Sequence, residues 1–432
     1  MSAPSSIRLL VNDNSPDGKP ADPIVPDGFY IWRSHSSAKG SLYLFGIITL
    51  VESFFCKMSS SKRGTRFQAQ RVEFNNEDVG GTAEEAARVL EEDGVVVVIN
   101  AYTTDEAHGL RDEILEAFEK LGTGFDSSDP NTTWVSEVLP AQSRRGMFQN
   151  VMAGAPPVRR IRSDERLVAL WEGMHAALGH VDPVTDGPVE LLTSNDGINV
   201  TPPKAKSEIS RGGEPDWPHT DAITGTGANA SIQGQVVLNG SQAVLRATPK
   251  SHSYWDWTCE EVMSDTDRDR GRMGWHKLNK AKQRAVREKM EADLGKRGLF
   301  WQVPIYAPAG SLVLWYSSTI HSSTGYAHCP PRADALSLSE IAPKSDPLHD
   351  WRCIVYLCHF PAHLHDSQDG GRERIIAQLE GARANNRCTS HSSLKVFPKI
   401  GRPYTRDRRG ITYDPEVVAI MKDPQQALEL WA

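Results

Sequence analysis

Between Glu190 and Tyr316 the chain breaks into short apolar runs separated by Gly, Pro and Asn, and no other feature constrains the fold as strongly. Residues 198–201, 232–238, 244–247 and 311–315 read as strands, and many short strands divided by turn residues point to a sandwich or barrel. A further strand is expected over 352–358 (RCIVYLC). Helical patterns flank this region on both sides. The expected fold class is therefore α+β, a mostly β core with flanking helices.

Thr82 and Glu85 have the spacing of a capping box ahead of EEAARVLEE, a helix that Asp93-Gly94 should end. The VVVVI run at 95–99 reads as a buried strand. Thr103 and Glu106 repeat the capping spacing, and Leu110, Ile114, Leu115, Phe118 and Leu121 share one helical face. Another helix is expected over 163–179, carrying Leu167, Leu170, Trp171, Met174 and Leu178. Residues 260–299 form a charged insert whose second half reads as a solvent-facing helix, its basic side chains balanced by acids. Helices are also expected over 372–383 and 415–430, and no internal repeat is visible.

Composition excludes several classes. Of 432 residues, 39% are apolar and 24% charged, the balance of an ordinary globular protein of two or three domains. A net charge of -7 provides no basic field for nucleic acid. Six cysteines without a CxxC pair argue against a disulfide scaffold and a structural zinc site, and an intracellular, cytoplasmic location is expected. The apolar stretch at 42–51 stops at Glu52, short of the roughly 18–20 residues a membrane span needs, and lies too far from Met1 for a leader. Residues 1–80 are expected to be an extension, with 1–57 dispensable because Met58 opens an alternative start. One domain over 82–405 and a helical tail over 406–432 complete the expected organisation. The C-terminal Leu430-Trp431-Ala432 is not a peroxisomal tripeptide.

The chemistry concentrates in His219-Thr220-Asp221, His321 and Arg352. On an extended backbone side chains alternate, so the His and Asp of an HxD pair face one way. A distant His can complete the two-histidine, one-carboxylate set of non-haem Fe(II) oxygenases. Two neutral imidazoles and one carboxylate leave a ferrous ion with one residual positive charge and three open positions, enough for a chelating 2-oxo acid and dioxygen. A second HxD, His180-Val181-Asp182, follows a helix end, where a histidine commonly serves the helix dipole. Ala309-Gly310 should turn the chain into the 311–315 strand that delivers His321, and Arg352 opens the next strong strand. An inward arginine can bind a carboxylate through two hydrogen bonds, which suits a cosubstrate with a far-end carboxylate.

Weaker signals surround these residues. Gln233 can face cosubstrate or substrate, and Trp255 and Trp257 can line a substrate pocket or belong to an aromatic core. Gly225 to Ala230 fits GxGxxA but lies outside any βαβ unit, which removes the case for a dinucleotide. Cys353 and Cys358 read as core residues, and His252, His359, His363 and His391 as structural or surface histidines.

The segments GVVVVINAYTTDEAHGLRDEI, WPHTDAI, IQGQVVL, AVLRATPKSH, GSLVLWYSSTIHSST and WRCIVYLCHFPA occur in this order. Together they resemble the phytanoyl-CoA dioxygenase family of Fe(II)/2-oxoglutarate oxygenases, and ARANNRCTSHSSLKVFPKIGRPY is similar to the closing segment of larger members. The resemblance covers residues 82–405 and implies a double-stranded β-helix, a cupin-like jelly roll. It implies His219, Asp221 and His321 as iron ligands, Arg352 on the far carboxylate of 2-oxoglutarate, and Ser323 at the cosubstrate. It further implies Fe(II), 2-oxoglutarate and O2, with ascorbate helpful in vitro, and oxidation of a small-molecule substrate with release of succinate and CO2. Halogenases of this fold lack the carboxylate, so Asp221 implies hydroxylation, desaturation or ring closure.

The chain departs from the family in places. Many members place the arginine soon after the distal histidine, where this chain has Arg332 in CPPRADAL. Lys250 stands where the family usually has Gly, and LNGSQAVLRATP is short. A CoA thioester would need a basic patch, for which Arg144-Arg145 or Arg159, Arg160 and Arg162 are candidates. Two other readings share the ligand pattern: a metal-silent jelly-roll binder of small molecules, and a cupin-like metal isomerase or hydrolase.

Overall fold

The computed structural model describes residues 67–391, apart from 123, 135–145, 149, 203–216, 272–273, 324–344, 367–369 and 386. The expected N-terminal extension up to residue 66, the tail, Arg144-Arg145 and Arg332 lie outside the described residues. The fold is mixed α+β with two sheets. Numbering strands along the chain, the larger sheet runs β1 (Arg71–Glu73), β2 (Val95–Ile99), β11 (Leu312–Tyr316), β7 (Ile232–Asn239), β13 (Arg352–Pro361), β5 (Ile198–Thr201) and β3 (Met147–Phe148), with β4 (Leu191–Thr193) also pairing β13. The smaller sheet runs β10 (Val303–Ile305), β8 (Leu245–Ala247), β12 (His321–Ser323), β6 (His219–Thr220) and β9 (His276–Lys277). Every pairing is antiparallel except β1 with β2.

The central strands of the larger sheet are buried on both faces, which accounts for the unbroken VVVVI run of β2. Val96 and Val98 join a core with Leu90 of α1 (Val79–Asp93), Phe118 of α2 (Thr104–Glu119), Ile161 of α3 (Pro156–Arg162) and Trp171 of α4 (Glu165–Ala177). Val95 and Val97 turn the other way and pack with Leu245, Ala247 and Ile305 of the smaller sheet. Alternation along one strand thus builds two cores. Gly234 lets α4 sit close to β7: a Cβ there would lie 2.8 Å from the Trp171 indole, whose Nε1 donates to the Ile232 carbonyl at 3.0 Å.

Several expectations shift. The first helix starts at Val79 rather than Thr82, because Asp78 takes the cap and accepts from the Gly81 N–H at 2.8 Å. Thr82 lies inside the first turn, and Glu85 pairs with Arg88 instead. The Thr103–Glu106 capping box forms as expected. His321 does not extend the 311–315 strand: the chain turns at Ser317 to Ile320, crosses to the smaller sheet and carries His321 on β12. The insert is more than a surface helix, since β9 precedes α5 (Lys280–Gly298) and pairs with β6. The helix expected over 372–383 is α6 (Gly371–Ala384), while that over 415–430 lies outside the described residues.

Candidate metal centre

His219 and His321 stand directly opposite each other on β6 and β12, so their side chains share a face, with ring centroids 4.2 Å apart. Asp221 follows β6 on the same face, fixed by its N–H donating to the Ser317 carbonyl at 2.8 Å. The turn that carries the chain between sheets therefore also sets the carboxylate. One ligand atom from each of the three residues falls within 4.8 Å of the others, and no other group of three metal-ligating side chains among the described residues does so. Asp221 Oδ2 lies 3.7 Å from His219 Nε2 and 3.2 Å from His321 Nε2. The residues are 5%, 2% and 4% exposed for His219, Asp221 and His321, so all three are buried.

The ring tautomers follow from the backbone. Nδ1 of His219 lies 3.0 Å from the Trp217 carbonyl and Nδ1 of His321 lies 2.8 Å from that of Thr319. A carbonyl only accepts, so each Nδ1 carries the proton and each Nε2 presents a lone pair to the centre. Burial, aided by the neighbouring His321, pushes His219 down to about 3 and keeps it neutral. Burial alone would raise Asp221, but the two imidazoles outweigh it and hold the carboxyl below its usual range. Two imidazole Nε2 atoms and one carboxylate oxygen are thus the atoms available to a metal.

Gln233 donates from Nε2 to Asp221 Oδ2 at 3.1 Å, so it contacts a candidate ligand directly. Two residues along β7 on the same face, Gln235 accepts from Arg352 Nη2 at 3.4 Å. Arg352 is 4% exposed, its Nε has no hydrogen-bond partner, and no carboxylate among the described residues pairs with it. Burial raises the Tyr356 phenol, and the nearby Arg352 charge partly offsets it. Ser323 lies two residues beyond His321 on β12, on the same face. Trp255 is buried with Ala222 and Met263 and donates from Nε1 to the Thr226 carbonyl at 3.2 Å, while Trp257 packs beside Leu278, Val286 and Met290 of the insert.

Some neighbours were not singled out by the sequence. Gln235 could have been found from Gln233 by the two-residue alternation. Trp217 stacks on His219 at 4.3 Å and 16°. His391, read above as structural or surface, pairs with the buried Asp196 and packs edge-on against Tyr356 at 5.7 Å. Burial would lower His391, but the Asp196 carboxylate prevails and raises it to about 9; its charge is felt at Asp221. Cys353 and Cys358 are buried in β13, five positions apart along an extended strand, about 17 Å and too far to form a disulfide with each other.

No helix among the described residues is long and apolar enough to cross a membrane. No family model matches the chain, and no curated protein is similar to it in sequence. Among solved structures, the chain is similar to the epimerase SnoN in complex with Fe3+, alpha ketoglutarate and nogalamycin RO, at 16% identity over 66% of this chain and 85% of that one, with a TM-score of 0.36. It is similar to the non-heme alpha ketoglutarate dependent carbocyclase SnoK from nogalamycin biosynthesis, at 14% identity over 65% and 84%, with a TM-score of 0.36. A putative oxidoreductase from Salmonella typhimurium LT2 is similar at 10% identity over 81% and 86%, with a TM-score of 0.47.

Proposed function

We propose that this protein is an Fe(II)/2-oxoglutarate-dependent oxygenase on a double-stranded β-helix, with His219, Asp221 and His321 as iron ligands and Arg352 as the anchor for the far carboxylate of 2-oxoglutarate. The observation that carries the reading is the convergence of three buried ligand atoms within 4.8 Å. The donor set fits the ion. Both Nε2 atoms face the Asp221 carboxylate, and a buried anion beside two imidazoles is a site that a cation would balance. Bound there, ferrous iron would activate dioxygen so that 2-oxoglutarate loses CO2 to give succinate while a substrate C–H bond is oxidised.

The chain's own residues orient the reactants and exclude water. Gln233 fixes the Asp221 carboxylate by occupying one lone pair of Oδ2. Arg352 supports the cosubstrate assignment because a buried guanidinium with only neutral partners leaves a charge that an incoming carboxylate would compensate. Gln233 and Gln235 lie on one face of β7 in the larger sheet, one meeting Asp221 and the other Arg352, which supports a cosubstrate spanning from the ligands to the arginine. Ser323, on the His321 face of β12 in the smaller sheet, would contact the cosubstrate from the ligand side. The Asp221 carboxylate fills the ligand position that a halide would need, which favours hydroxylation, desaturation or ring closure.

Purified protein given Fe(II), ascorbate, O2 and 2-oxoglutarate should form succinate, and His219→Ala should not. Succinate formation that is independent of metal, or unchanged in His219→Ala, would overturn the proposal. Arg352→Gln should raise the 2-oxoglutarate requirement at least about tenfold, the loss expected of a bidentate charged contact.

A further inference from the structure

The insert brings a second feature to the metal face. β9 pairs with β6 in a register that sets Lys277 opposite His219 and His276 opposite Thr220. One step further, the residue opposite Asp221 is Trp275. Cross-strand partners share a face, so Trp275 projects on the metal side of the smaller sheet while His276 projects on the other. The surroundings agree: His276 is 3% exposed and lies near the charges of Lys282 and Asp267 from the insert. The Trp275 ring lies 6.3 Å from that of His219, tilted by 42°.

Trp275 is 47% exposed, and no other aromatic side chain among the described residues is as open. Trp171, Trp255, Trp315 and Trp351 are almost fully buried. One face of His219 is already covered by Trp217, stacked at 16°, whereas Trp275 is tilted away and keeps an indole surface in water. The indole thus lies half in solvent beside a candidate metal ligand. It offers a flat apolar surface to whatever approaches the metal.

We propose that Trp275 is a specificity-determining residue and that the substrate class is a planar aromatic ring system, held against the indole beside His219. The inference rests on the oxygenase reading above and deepens it. The charged insert then sets which molecule reaches the iron, while the sheets set the chemistry.

The test uses full-length protein loaded with Mn(II), a paramagnetic stand-in for the ferrous ion, and with 2-oxoglutarate. The probes are 2-naphthol and the open-chain 1-decanol. Relaxation of the naphthol ring protons by the metal should be observed with wild type and with Trp275→Phe. Trp275→Ala should weaken naphthol binding about tenfold, the loss expected when a stacking partner and its buried area are removed. Decanol should bind more weakly than naphthol. No relaxation in wild type, equal binding by Trp275→Ala, or decanol binding as tight as naphthol would each overturn the inference. Trp275→Phe separates loss of the ring from loss of folding, because it keeps an aromatic face. Succinate formation by wild type, measured in parallel, tests the oxygenase reading separately: turnover without Trp275-dependent naphthol binding removes only the inference, and absent turnover removes the reading beneath it.

Discussion

Two HxD segments with the same spacing end in opposite roles. His180-Val181-Asp182 follows α4, where the chain is turning. The His180 N–H donates to the His175 carbonyl at 3.0 Å and the two imidazoles meet at 2.9 Å through their Nδ1 atoms. Asp182 Oδ1 accepts from the Val184 and Thr185 N–H groups, and Oδ2 pairs with Arg372 at 3.0 Å. That carboxylate is committed to a turn and an ion pair. His219-Thr220-Asp221 instead lies along and just past a strand paired on both sides, where the backbone donors are used in the sheet and Asp221 faces two imidazoles. The same residues at the same spacing become a turn or a metal-binding face depending on the backbone conformation that carries them.

The comparison can be tested by substitution on each side. The largest effect is expected for His321→Ala, which should reduce Fe(II)-dependent succinate formation to background, while His180→Ala should leave it within about twofold of wild type. If the two variants lose activity equally, the distinction between the segments fails. Next, Gln233→Leu should weaken metal affinity by about 10- to 100-fold, the usual cost of removing a hydrogen-bond partner from a ligand; chelator competition would measure it, with Asp182→Ala as the unaffected reference. Asp182→Ala should instead cost about 1–3 kcal/mol of folding stability, because it strands two N–H donors and removes one of the carboxylates that hold Arg372. Urea unfolding would detect this, and a midpoint matching wild type would contradict it.

The smallest effect concerns pH. Burial holds His175 and His359 down to about 3, well below their unfolded values. The unfolded chain therefore binds protons that the folded protein refuses. The stability due to these neutral rings is fully present above about pH 6.5 and is lost as the pH falls, by up to about 1.4 kcal/mol per unit for each group. The urea midpoint should drop between about pH 7.5 and about pH 5.5, and His359→Gln should flatten that slope. An unchanged slope in the variant would show that His359 does not contribute.

The sequence was most readable where one residue class dominates a run. VVVVI, IQGQVVL and RCIVYLC specify β2, β7 and β13 because both faces of those strands are buried and β-branched residues crowd them. The ligands were readable as residue types, but not the reason they meet: β6 and β12 span two and three residues, too few to show alternation, and their pairing depends on contacts distant in sequence. β9 was hidden in a charged insert for the same reason, and Trp275 with it. Arg352 was readable from its place at a strand start, whereas its link to Gln235 required the register of β7 with β13. Thr82 misled because Asp78, three residues into a Gly- and acid-rich stretch, caps better than a threonine already within the first turn.

Anaerobic calorimetric titration of Fe(II) into wild type, Asp221→Ala and Asp182→Ala tests the central claim most directly. One equivalent should bind to wild type and to Asp182→Ala, and none at comparable affinity to Asp221→Ala. Undiminished binding by Asp221→Ala, or loss of binding in Asp182→Ala, would contradict the assignment of His219, Asp221 and His321 as the metal centre.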